Sequence, residues 1–168
     1  PVVGESVYVW MAAISSIGIG SLFVYAINSS ARTYRTEGVA PEEGNRIYLV
    51  IKRPKTAIDY LLSVVGNPVS SVSFSVGTEW LRFKAKNGSA ERFSVADSLG
   101  YTFIDTGLEA SDAQVKAFRS VEHKSWSLSR NCVTSWYAFT QGTYLEHMPS
   151  EILPSIYVSR ILKERLEK

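Results

Sequence analysis

The rhythm of apolar and polar positions changes along this chain, and each change predicts a different kind of element. From Val7 to Ile27, VYVWMAAISSIGIGSLFVYAI, no charge interrupts a run of 21 residues. As a helix the run would extend about 31 Å at roughly 1.5 Å per residue, which matches the hydrocarbon core of a bilayer. Tyr8 and Trp10 near one end and Tyr25 near the other sit where amphipathic rings favour the interfaces. Arg32 and Arg35 follow, and would hold the rest of the chain on the cytoplasmic or matrix side. The run is long and has no basic segment ahead of it, so it reads as a retained anchor rather than a cleaved signal peptide. Ser15, Ser16 and Ser21 keep open a second reading, a core helix or a packing arm in a water-soluble protein. Ala12, Ser16 and Gly20 recur every four residues, a helix-packing face that would let another helix approach closely.

Beyond Arg32 the pattern is that of a mixed domain. Thr36 to Asn45 is polar with glycine and proline, as a connector would be. Arg46 to Lys52, RIYLVIK, is rich in β-branched and aromatic residues and predicts a strand. Pro54 to Val65 predicts a short helix stopped by Gly66-Asn67-Pro68. Ser70 to Val76 and Glu79 to Lys86 alternate as strands, and Asn87-Gly88 predicts a turn into another strand at Glu91 to Val95. Ser111 and Gln114 form a capping-box pattern ahead of Val115, Phe118 and Val121, so a helix begins near Asp112. Asn131 and Gly142 would bound a helix containing Cys132. After Pro154, the stripe Val158, Leu162, Leu166 beside Arg160, Lys163 and Arg165 predicts an amphipathic C-terminal helix.

Composition narrows the function classes. The chain has 18 basic and 16 acidic residues, and a net charge of +2 is too small for the concentrated basic face that displaces counterions from nucleic acid. One cysteine excludes an intrachain disulfide, a multi-cysteine zinc site and an iron–sulfur cluster built from this chain alone. We expect no metal and no cofactor.

The cysteine carries the only candidate chemistry. In the first turn of a helix, backbone N–H groups and the macrodipole favour a thiolate. Asn131-Cys132, with Tyr137, Phe139 and then Gly142, resembles the cysteine helix of circularly permuted papain-like hydrolases, the group of lecithin:retinol acyltransferase relatives and certain bacterial cell-wall peptidases. The resemblance implies a catalytic histidine earlier in the chain, on a strand whose short apolar run closes on a glycine. The matching run is Ser71 to Gly77, with Ser71 where the histidine would stand, and a third polar group would fall near Arg82. The site is therefore degenerate at its base. His123 and His147 are the remaining candidate partners for Cys132, because a thiol without a base is a poor nucleophile. Surface or capping roles account for both histidines more simply, and a small buried residue accounts for Cys132.

These observations predict an α+β chain with a membrane anchor over 1–31, its transmembrane helix at about 7–27. A linker over 32–45 leads to a small antiparallel-sheet-plus-helices domain over 46–168, permuted papain-like in order. The expected role is a single-pass, noncatalytic accessory subunit of a larger membrane complex, with membrane lipid and fellow subunits as partners and no nucleic acid. A mitochondrial inner membrane would suit such a subunit. The alternative is a membrane-tethered thiol hydrolase or acyltransferase using Cys132 with His123 or His147.

Overall fold

Arg46–Lys52 forms β1, the strand on which the domain is assembled: five of its seven residues are buried, so both of its faces lie in packed surroundings. The structure, a computed structural model, describes residues 15–18, 38–52, 71–83, 88–125, 133–149, 151 and 154–167. Four further strands follow, β2 (Val72–Val76), β3 (Glu79–Phe83), β4 (Ala90–Phe93) and β5 (Tyr101–Glu109). They make one antiparallel sheet in the order β4-β3-β2-β1-β5. Among the described residues α1 (Asp112–Arg119), α2 (Tyr137–Thr140) and α3 (Pro154–Leu166) accompany it. The described domain is thus α+β.

Because successive strand residues point to opposite faces, the sequence sorts itself into two layers. Ile47, Leu49 and Ile51 of β1 share one face with Val72, Phe74 and Val76 of β2, Leu81 and Ile104, and join Phe118, Trp136, Phe139, Val158, Ile161 and Leu162 from the helical side in the main core. Phe74 is its centre, meeting Trp136 and Phe139 edge-on at ring distances of 5.6 and 5.5 Å. The other face gathers Tyr48, Val50, Trp80 and Phe103, with Phe93, Val95 and Tyr101 around them. There Ser73 lies in the core, and its hydroxyl accepts the Trp80 indole N–H at 2.8 Å.

Helix α1 begins as its capping box predicts. The Ser111 hydroxyl accepts the Gln114 N–H at 3.3 Å, and the Gln114 side-chain oxygen accepts the Ser111 N–H at 3.0 Å. The Gln114 amide also donates to the Phe139 carbonyl at 3.2 Å and so ties α1 to α2. In α3, Val158 and Leu162 are buried as the stripe predicts, while Leu166 is exposed. Gly77 adopts φ +55 between β2 and β3, and a Cβ there would come within 2.3 Å of the Gly44 carbonyl oxygen. The glycine that closes the Ser71 run therefore has a structural reason to be one.

Strand β5 is absent from the sequence reading. Its alternation breaks at Asp105-Thr106-Gly107, where its register against β1 shifts and Gly107 takes φ +78. This irregularity hides the strand from any period-2 pattern. It also helps to blunt an edge: the Val39 N–H donates to Phe103 O at 2.8 Å, and the Tyr144 hydroxyl donates to Thr106 O at 2.6 Å.

The spanning helix expected over 7–27 is corrected. Among the described residues no helix is long and apolar enough to cross a membrane. Of that run the structure describes only residues 15–18, helical and exposed, with Ile17 at 70%. Of the packing face, Ser16 lies on the described turn, while Ala12 and Gly20 fall outside the described residues. The expected helix over 54–65 and the Asn131 cap also fall outside them.

Candidate functional site

The expected thiol site can be followed through the residues meant to serve it, although Cys132 itself lies outside the described residues. His123 is exposed in the turn after α1, with a left-handed backbone at φ 66, and its own N–H donates to Ala90 O at 2.7 Å. A positive φ is uncommon for a residue with a side chain, and histidine is among the types that tolerate it. His147 is on a different segment, between α2 and α3. Its Nε2 lies 3.0 Å from the Glu151 carbonyl oxygen, which makes it the donor there, and its ring lies 6.2 Å from that of Tyr157. Each histidine is thus placed by its own stretch of backbone.

Ser71 stands at the head of β2, where its carbonyl accepts the Lys52 N–H at 3.1 Å. Arg82 is bound into the second face of the sheet. Its guanidinium carbon sits 3.8 Å from the Phe93 ring centre, 4.9 Å from Tyr101 and 5.1 Å from Trp80, and Nη1 donates to the Tyr101 hydroxyl. Stacking of this kind holds a cation against an aromatic surface and makes Arg82 a packing residue.

A group of polar residues that the sequence reading missed lines a cleft of about 310 Å³ beside β5 and the end of α3. On its floor Arg46 and Asp105 make a paired contact, Nε to Oδ1 at 2.9 Å and Nη2 to Oδ2 at 3.0 Å. The bulge turns the Gly107 N–H onto Asp105 Oδ1 at 2.8 Å. Arg165 and Tyr144 complete the walls. Burial alone would raise the Asp105 carboxyl. The bonds from Arg46 and the Gly107 amide outweigh it, with Arg46 and Arg165 adding positive charge, and hold the group below the ordinary carboxylate range. Burial pushes the Tyr144 hydroxyl up, so it stays neutral.

A depressed carboxyl contributes stability that is complete above its unfolded value, about 3.9, and is lost as pH falls through the folded value. Asp105→Asn should therefore cost up to about 1 kcal/mol at pH 7, a modest figure because the pair is partly exposed. The difference from the parent should narrow as pH drops from about 4 towards 2. Urea unfolding midpoints across that range measure it, and a difference that stayed constant with pH would contradict the assignment.

The chemistry available in the cleft is anion recognition. Two guanidiniums face one carboxylate, an excess of one positive charge among the lining side chains. Among the described residues no group of three or more His, Cys, Asp or Glu side chains could hold a metal ion. Neither Arg46 nor Arg165 belongs to a sequence motif. Arg46 and Asp105 are 59 positions apart, so no local pattern could have joined them. No family model matches the chain, and no curated protein or solved structure matches it either.

Proposed function

We propose that this domain works as a noncatalytic binding subunit of a larger assembly rather than as a thiol hydrolase. The observation that supports this reading is the disposition of the two histidines. A cysteine nucleophile needs an imidazole free to accept its proton and oriented by a third group. His123 projects from an exposed turn that is paired with β4 through its backbone, and His147, tied by Nε2 to the Glu151 carbonyl between α2 and α3, keeps only Nδ1 as an acceptor. Ser71 and Arg82, at the positions the papain-like resemblance assigns to the base and the third polar group, can supply neither. A serine hydroxyl is no base at neutral pH, and Arg82 is stacked on Phe93. On this reading, a scaffold similar to the permuted hydrolases would have kept its packing without the acid–base pair.

Alkylation of Cys132 by iodoacetamide between pH 5 and 9 tests the proposal. The expected rate is slow at pH 6, rises only towards the ordinary thiol value of about 8.5, and is the same in His123→Ala and His147→Ala. Rapid alkylation below pH 7 that one of these substitutions abolishes would instead establish a thiolate–imidazolium pair and refute the noncatalytic reading.

A further inference from the structure

Every arginine among the described residues except one has a hydrogen-bond acceptor. Arg46 bonds Asp105, Arg82 bonds Tyr101, Arg92 bonds Glu122, Arg119 bonds Glu79, and Arg160 is surrounded by acceptors. Arg165 has none among the described residues, although it is half-buried and lines the cleft that holds Arg46 and Asp105. A cation in the last turn of α3 suits the helix dipole, which accounts for a basic residue there. It does not account for a half-buried guanidinium that lines the same cleft as a second one. Bringing two like charges together is unfavourable unless an anion lies between them. Asp105 acts on both charges, but its hydrogen bonds go to Arg46 Nε and Nη2, and among the described residues none reaches the N–H groups of Arg165.

We propose that the cleft binds a carboxylate, held by the fork of Arg165 beside the Arg46–Asp105 pair. The lining carries one net positive charge, from Arg46 and Arg165 against Asp105. A monoanion neutralises it, whereas a phosphate dianion would leave the cleft with a net negative charge. The planar guanidinium matches a carboxylate with two parallel hydrogen bonds. Beside it, Gly107 leaves the wall open, since nothing lies within 4 Å of where its Cβ would be. At about 310 Å³ the cleft is at the small end of ligand sites. It suits the carboxylate end of a small acid or of a peptide. This site uses none of the residues weighed for thiol chemistry, so its failure would leave the noncatalytic reading untouched.

Amide-resolved NMR titration of the full 168-residue chain at low salt tests the proposal, with N-acetylglycine as probe and N-acetylglycinamide and inorganic phosphate as comparisons. N-acetylglycine should shift the Gly107 and Leu108 amides saturably. Arg165→Gln should weaken its binding about tenfold or more, the range expected for a charged hydrogen-bond pair. Arg165→Lys, which keeps the charge without the fork, should fall between the two, and Lys163→Gln should bind as the parent does. Equal shifts from the neutral amide, tighter binding of phosphate than of N-acetylglycine, or unchanged affinity in Arg165→Gln would each overturn the proposal.

Discussion

Arg160→Met is expected to destabilise the domain by about 3–5 kcal/mol, because it leaves a buried carboxylate without its counter-ion. Glu151 is 3% exposed, and its two oxygens receive Arg160 Nε and Nη2 and the Met148 N–H. The same guanidinium donates to Tyr144 O at 2.6 Å, Glu146 O at 2.7 Å and Glu164 Oε1 at 2.9 Å. One side chain on α3 therefore holds two backbone carbonyls and the buried carboxylate of the segment from Tyr144 to Glu151, and Tyr157 adds a bond from its hydroxyl to Leu145 O. Burial works against the charge on Arg160, but the hydrogen bonds to Glu151 and Glu164 outweigh it and hold the group more firmly protonated than usual. Chemical unfolding of Arg160→Met measures the loss. The double variant Arg160→Met/Glu151→Leu should recover a large part of it, since removing both charges relieves the desolvation penalty that removing one exposes. A single variant within about 1 kcal/mol of the parent would show the staple to be ornamental.

Phe74→Ala should cost a similar amount, about 3–5 kcal/mol. Phe74 is fully buried in the middle of β2 and is the ring through which the sheet meets both Trp136 and Phe139. Phe118 stacks on Trp136 at 5.9 Å and lies 5.3 Å from Phe139, so the cavity would open beneath an interlocked group of rings with little freedom to collapse. Equilibrium urea unfolding gives the value. A loss below about 1.5 kcal/mol would mean that these helices do not rest on the sheet through this contact. The comparison Phe74→Leu, which keeps most of the volume, should lose far less.

What could be read in advance follows a physical division. Arg46–Lys52, the Ser71–Val76 region, the Ser111–Gln114 cap and the Val158/Leu162 stripe are legible because their signals are local. A β-branched run, an alternation, a side chain reaching a backbone group three residues on, and a one-turn spacing all act within a few residues. The spanning helix expected over 7–27 is not among the described helices, none of which is long and apolar enough to cross a membrane, and of that run only residues 15–18 are described. Strand β5 went unread because its bulge at Asp105–Gly107 breaks the alternation that marks a strand. The cleft was illegible for a different reason. Arg46, Asp105, Tyr144 and Arg165 are brought together by β1–β5 pairing and by the docking of α3, and neither leaves a trace at fixed spacing.

By itself, then, the amino-acid order determined where most of the described strands and helices form and which residues face inward, since propensity, periodicity and capping are short-range effects that each segment carries with it. Only the tertiary structure decided which charges became partners. It gave Glu151 to Arg160 and Asp105 to Arg46, and it left Arg165 facing a cleft. Coulomb attraction and hydrogen bonding depend on distance in space, and that distance exists only once the hydrophobic faces have packed.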